Sequence, residues 1–501
     1  MSQRRSVWLT DDKAQADPLV GAETCDALVV GAGITGVTAA LLLRRRGLDV
    51  VLLEAHQVGS GTTGGTTGKL TSQHGLIYND LAERHGRDVA RAYAEANQEA
   101  IQLIRSLDDQ TGADSGFTSA SAIVYDRTGS DSEMLRTEYE TALDLGLPAR
   151  LTDDTGLPFE VSLALEFSEQ AYFHPVRYCR GLIREFQRLG GRLYEGTRAL
   201  GLDESGDRVE VESHGGSVVA DHAVVATLLP FVDRGGFFAK TKPWRAYGVA
   251  ARFRSPPPPH MYISSSGPVR SLRPWPDGGP TGAIIVGENH PTGDESADPG
   301  RWGELERWAN ENFEVDSFEY RWSAQDYDTA DGIPYIGRSP LTERVLVATG
   351  FAKWGLTNGT AAAGILADLV VGEQNPVAEA FGASRIGDLK AVTELVRLNT
   401  ATAVGLVRDR IGRISLPAAV ELERGQAAIV SADNEAVAVY RDSAGELHGV
   451  SPTCTHLGCG IRWNDAENTW DCPCHGSRFD ISGFVLTGPA TEPLEQVQVD
   501  T

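Results

Sequence analysis

Two short loops near the C-terminus hold the densest chemistry in this chain: Cys454-Thr455-His456-Leu457-Gly458-Cys459 and, after twelve intervening residues, Cys472-Pro473-Cys474-His475-Gly476-Ser477. Each loop offers a thiol and an imidazole, in a Cys-x-His … Cys-x-x-His arrangement. Two thiolates and two imidazoles suit a tetrahedral zinc. They equally suit a two-iron, two-sulfide cluster in which one iron keeps thiolates and the other takes imidazoles. Zinc would not need the further Cys459 and Cys474, nor Gly458, Gly476 and Ser477 at these places, so the cluster is the better reading.

A second chemical signature opens the chain. The apolar run Asp26 to Val30 leads into Gly31-Ala-Gly33-Ile34-Thr35-Gly36, followed by a helical segment that ends at Arg44-Arg45-Arg46-Gly47. A second apolar run, Val50 to Leu53, presents Glu54 at its tip, 23 residues after Gly31. Strand, glycine turn, helix, strand and acid in this order describe a dinucleotide site. Gly31 makes the turn, Gly33 admits the pyrophosphate, Gly36 lets helix and strand pack closely, and Glu54 accepts from the adenosine ribose. Next comes a glycine/threonine loop with Gly61, Thr62, Thr63, Thr67, Gly68, Lys69 and Leu70. Its amides and hydroxyls suit phosphates and a polyol chain, which favours FAD over a nicotinamide cofactor.

From here the chain resembles the superfamily of D-amino-acid oxidase, glycine oxidase and sarcosine oxidase. The matching segments are Tyr172-Phe-His174-Pro175, Val224-Val-Ala-Thr227, Thr329-Ala-Asp331-Gly332 through Gly337, and Val345 through Gly350-Phe351-Ala-Lys353-Trp354-Gly355. The resemblance spans about residues 25–385 and implies flavin contacts from Thr227, Asp331, Gly332, Gly350, Lys353, Trp354, Gly355, Leu356 and Thr357. The helix beginning near Thr357 would aim its positive end at the flavin pyrimidine. Some relatives attach FAD through a late Cys or a loop His. No cysteine lies between Cys179 and Cys454, and Gly65 stands at the His position, so the expected FAD is non-covalent. Where oxidases carry an oxygen-activating lysine, the alignment places Ala283-Ile-Ile-Val286, and the nearest lysines are Lys69 and Lys353. That points to a dehydrogenase. On the substrate side, Arg245 could hold a carboxylate or merely form an ion pair, and His74 and Tyr78 could face substrate or pack helices.

The last 85 or so residues resemble the Rieske domains of cytochrome bc complexes through CTHLGC and CPCHGS. This implies Cys454, His456, Cys472 and His475 as ligands, and leaves Cys459 and Cys474 to be bridged as a staple between the loops. Ser477 matches a hydroxyl that donates to cluster sulfur in those domains. Phe479 stands where they have a second donor, a tyrosine, so the potential is expected below the top of the roughly −150 to +300 mV Rieske range. A ring-hydroxylating oxygenase would need a mononuclear iron with closely spaced histidines, and none of the eleven histidines forms such a pair outside the loops.

A chain of 501 residues exceeds one ordinary core. The expected fold class is an α/β Rossmann-like FAD-binding domain with an α+β substrate domain, plus a small all-β Rieske domain. The division is an extension over 1–24, the oxidoreductase over 25–385, a linker helix over 386–415 and the Rieske domain over 416–501. Within the oxidoreductase, FAD-binding parts fall at about 25–105, 165–230 and 325–385, and substrate-domain parts at about 106–164 and 231–324. A net charge of −24 argues against nucleic acid and anionic membranes and suits a basic carrier protein. No run is long and apolar enough to span a membrane. Arg4-Arg5 is followed by Asp11-Asp12-Lys13 rather than an apolar stretch, and cysteines are scarce, so the expected location is cytoplasmic.

The function expected is flavin-dependent oxidation of a small amine or amino-acid-like substrate at its CH–NH bond. Electrons would pass through the cluster to an external one-electron carrier approaching an exposed imidazole edge. The alternatives are a reductive or demethylating flavoenzyme fed by a ferredoxin-like donor, and a non-catalytic redox sensor.

Overall fold

The computed structural model describes residues 3–10, 14–232, 234–294, 300–385, 422–432 and 435–499. The expected linker helix at 386–415 lies outside the described residues. Val50–Leu53 is apolar at every position and wholly buried, as a strand covered on both faces must be. It belongs to a sheet in the order Tyr335–Arg338, Val345–Thr349, Gly216–Val225, Gly21–Val30, Val50–Leu53, Arg192–Tyr194. The last five are mutually parallel. Helix Ile34–Arg45 packs beside this sheet against helix Gly355–Val370. It stops where Arg44 and Arg45 fill its last turn and Gly47 turns left-handed at φ +91°.

Gly31, Glu54, Thr227 and Gly350 all stand just beyond the carboxyl ends of these parallel strands. That edge is where open α/β sheets bind ligands. A sheet of ten strands forms the second layer and runs Gln3–Arg4, Val315–Thr329, Thr241–Phe253, Gly282–Pro291, Arg270–Pro274, Met261–Ser264, Thr118–Asp126, Leu163–Tyr172, Lys69–Leu70, with Ala149–Thr152 paired to Leu163–Tyr172. Its longest member, Val315–Thr329, pairs along its length with Thr241–Phe253 and reaches the cofactor edge.

The C-terminal domain is two small antiparallel sheets, Ala427–Ala432 with Glu435–Arg441 and Leu447–Val450, and Arg462–Asn464 with Thr469–Asp471, Arg478–Phe479 and Val485–Thr487. Trp470, Phe479, Ile461 and Leu494 fill its core together with Cys454, Cys459 and Cys472. Truncating Trp470 to alanine would cost this small core about 3–5 kcal/mol. No described helix is long and apolar enough to cross a membrane.

Candidate functional site

At the cofactor edge the glycines are required by contact. A Cβ on Gly36 would lie 1.8 Å from the Gly31 carbonyl oxygen, and one on Gly31, at φ +99°, would lie 2.6 Å from that of Ala226. Helix Ile34–Arg45 begins at Gly33 with no side chain capping it, although the Ile34 amide donates to Thr63 Oγ1 at 3.0 Å. Its first-turn amides and positive end therefore face the loop, as a pyrophosphate requires. Glu54 accepts from the Ala32 and His56 amides at 2.7 and 2.8 Å. Burial pushes its carboxyl above the ordinary range. Thr62–Gly65 is a short helical turn, and Thr62 Oγ1 donates to the Gln325 carbonyl at 2.8 Å. Thr67 O accepts from Arg273, whose guanidinium lies against left-handed Gly68. Lys69 Nζ is buried on Tyr262 O and Ser271 Oγ at 2.7 and 2.6 Å, and burial then Arg273 hold its pKa well below the usual lysine value.

The facing turn has Gly350, Ala352 and Lys353 all at positive φ. It is held by Ala352 N to Tyr327 O at 3.0 Å and by Lys353 N to Asp326 Oδ2 at 2.6 Å. Helix Gly355–Val370 follows, again without a side-chain cap. It packs so closely on the first helix that a Cβ on Gly359 would lie 2.4 Å from Thr35 Oγ1. Leu356 and Thr357 are buried at its start. Asp331 is wholly buried beneath Gly332 and pairs with Arg385 at 2.7 Å, and Thr227 Oγ1 donates to Leu229 O at 2.9 Å.

The substrate-side candidates already have partners within the protein. His74 stacks on Trp354 with ring centroids 4.8 Å apart and meets Tyr93 Oη at 2.6 Å and Thr357 Oγ1 at 3.0 Å. Burial pushes its pKa down to about 3, so it is neutral and braces the turn. Tyr78 is wholly buried and donates to Ser72 O at 2.6 Å, which is the packing role. Lys353 Nζ pairs with Asp328 at 3.2 Å. Arg245 is 2% exposed and its guanidinium meets Glu467 of the C-terminal domain at 2.6 Å, and also Ser323. It therefore forms the ion-pair alternative, and a buried one, rather than an open carboxylate clamp.

The two cluster loops repeat one backbone pattern. Cys454 N donates to Cys459 O and Cys472 N to Ser477 O, each at 2.8 Å, while Gly458 N and Gly476 N return to Cys454 O and Cys472 O at 3.0 Å. Gly458 and Gly476 make this possible at φ +74° and +75°. Cys459 and Cys474 are joined by a disulfide. The imidazoles of His456 and His475 lie edge to face with centroids 5.0 Å apart. His475 Nδ1 is buried with no hydrogen-bond partner, the state expected of a metal ligand. Hydrogen bonding by Cys472 and Ser477 helps hold the Cys454 thiol down at about 7 against the opposing effect of burial. These residues fit a two-iron cluster. Phe479 is wholly buried, so Phe479→Tyr places a new hydroxyl beside the second loop, and the midpoint potential by redox titration is expected to rise. An unchanged or lower potential would remove the missing-donor explanation.

The expected exposed imidazole edge is corrected at one of its two rings. His475 is 4% exposed and His456 half-buried, and the Phe238 ring of the larger domain stands edge-on to His475 at 5.0 Å and to His456 at 6.4 Å. Sequence reasoning also missed Gln325, Tyr327 and Glu467, all ordinary-looking strand or turn residues.

The FAD dependent oxidoreductase pattern matches residues 26–369, and the Rieske [2Fe-2S] domain pattern matches 413–498. The chain belongs to the FAD-dependent oxidoreductase family. This oxidoreductase carries a C-terminal Rieske domain, and its cofactors are FAD and a [2Fe–2S] cluster. It is 36% identical over 499 residues to a protein described as a Rieske 2Fe-2S iron–sulfur protein, YhfW, of Bacillus subtilis (strain 168), covering 98% of this chain and 97% of that one. Glycine oxidase of Bacillus licheniformis is 26% identical over 393 residues, covering 72% of this chain and 97% of that enzyme. The crystal structure of glycine oxidase from Geobacillus kaustophilus shares the fold at 21% identity and TM-score 0.60, covering 72% of this chain and 99% of that one.

Proposed function

We propose that this FAD-dependent oxidoreductase removes a hydride equivalent from the CH–NH bond of a small amine or amino-acid-like substrate and sends the electrons through its Rieske cluster to an external one-electron carrier. When bound, FAD accepts the hydride equivalent and the iron–sulfur cluster carries electrons singly. The observation that carries the reading is the burial of the His475 imidazole against Phe238, which sets one cluster-ligand ring against the flavin domain while His456 stays partly exposed. The glycine oxidase relatives support the substrate class. Lys69 and Arg273 take over from Arg245 as candidates for an anionic substrate group, since both are buried basic side chains bonded to neutral acceptors and neither pairs with a carboxylate among the described residues. Gly31, Gly33, Gly36, Glu54 and the loops at 61–70 and 350–357 would hold FAD, and Cys454, His456, Cys472 and His475 the cluster. We place the protein in the cytoplasm.

Anaerobic screening of amines for flavin bleaching tests the reading. A substrate should bleach both chromophores, and failure of every primary and secondary amine and amino acid to bleach flavin would favour the redox sensor. Midpoint potentials of both centres decide direction, a cluster lying below the flavin favouring the ferredoxin-fed alternative. Non-covalent attachment is the reading that Gly65 and the lack of a cysteine between Cys179 and Cys454 support; a Cβ at Gly65 would lie 2.9 Å from that of Ala324. Acid precipitation is expected to leave yellow flavin in the supernatant; a coloured pellet would show a covalent bond.

A further inference from the structure

The end of strand Val315–Thr329 passes between the cofactor loops and the cluster loops. Side chains of a strand point alternately to opposite faces, and here that alternation sorts the contacts by redox centre. Toward the cofactor edge, Ala324 packs on Gly65 of the glycine/threonine loop and Asp326 accepts from the Lys353 amide at 2.6 Å. Toward the cluster, Ser323 bonds Glu467, Gln325 Nε2 donates to the Gly476 carbonyl at 2.7 Å, and the Tyr327 hydroxyl donates to the His475 carbonyl at 2.8 Å. The backbone binds the cofactor side as well, with Gln325 O accepting from Thr62 and Tyr327 O from Ala352. Fit on the cluster side is tight: a Cβ on Gly476 would lie 2.7 Å from Gln325 Nε2 and 2.8 Å from Tyr327 Oη.

We propose that residues 323–327 form a bridge in which Gln325 and Tyr327 are positioning residues that hold the second cluster loop at a fixed distance from the flavin turn and help set the cluster potential. This rests on the electron path proposed above. Both residues are buried, and both aim the positive end of a donor dipole at consecutive carbonyls of a ligand loop. Such dipoles, in a low-dielectric site, favour the cluster with one more electron. On that path bound FAD would give up its two electrons singly, with two protons released to solvent, the cluster would carry one electron at a time, and the external one-electron carrier would be the final oxidant, taking two electrons per substrate.

The test uses full-length holoprotein with Tyr327→Phe and, separately, Gln325→Leu. Flavin is reduced by light with EDTA as sacrificial electron donor, so the enzyme's own substrate is not needed, while electron paramagnetic resonance follows the cluster. Both variants are expected to keep wild-type FAD and iron content. Cluster reduction should slow about tenfold. The cluster potential should drop enough to shift the flavin–cluster electron distribution about tenfold, which is about 59 mV for one electron. Wild-type rate and potential in both variants, or loss of the cluster from both, overturns the bridge. If the wild-type cluster stays oxidised beside photoreduced flavin, the electron path itself falls, a different result from failure of the bridge alone.

Discussion

Glu467→Gln is expected to loosen the interface between the oxidoreductase and Rieske domains by about 3–5 kcal/mol, because it leaves a buried guanidinium without its counter-charge. Glu467 receives Arg245 at 2.6 Å and Arg478 at 3.1 Å, and Arg478 also meets Asp471 at 3.0 Å. Arg245 is 2% exposed, so water cannot replace the lost partner. The measurement is the urea midpoint of the transition that releases the cluster domain, followed by visible circular dichroism. The pH dependence follows from the same pair. Burial alone would raise the Glu467 pKa from 4.5, but Arg245 and then Arg478 outweigh it and hold the group at about 2. A carboxyl depressed on folding contributes stability that is complete above its unfolded value and lost as pH falls toward the folded one. The wild type should therefore weaken between about pH 4.5 and 2 by a component that Glu467→Gln lacks. An unchanged midpoint and an unchanged acid slope would show that the ion pair does not hold the domains together.

Cys472→Ser should have the largest effect on electron flow. Cys472 is buried beside Cys454 and would supply one of the two thiolates to the cluster. A serine hydroxyl is a poor substitute for a thiolate, so the cluster should be absent by iron analysis while FAD is retained. Amine-dependent flavin bleaching should persist. Reduction of the external carrier should fall about a hundredfold, roughly 2.7 kcal/mol. Carrier reduction at the wild-type rate would show that electrons leave the flavin by another route. The flavin assay separates this outcome from general misfolding, since the Cys459–Cys474 bridge still ties the two loops.

Both ligand loops and the dinucleotide turn were legible because each is local. Gly458 and Gly476 need left-handed backbone within four residues of their cysteines, and Gly31 to Glu54 is a single strand–helix–strand unit. Such constraints leave residue types at fixed spacing. The roles of His74, Tyr78 and Arg245 were open because each type serves equally in a site or in packing. Their neighbours decided the matter: Trp354 and Thr357 lie 280 or more positions from His74, and Glu467 lies 222 from Arg245.

By itself the sequence determined two cofactors and pointed to short glycine- and cysteine-rich loops to hold them, because the backbone geometry of such loops is set by adjacent residues. It also indicated a family resemblance in the order of its segments. Only the tertiary structure decided how the two centres face each other. It buried the His475 imidazole against Phe238, and it placed Ser323, Gln325 and Tyr327 on one face of a strand with Ala324 and Asp326 on the other. The physical reason is that alternation along a strand assigns faces, but only packing of distant segments says what each face meets.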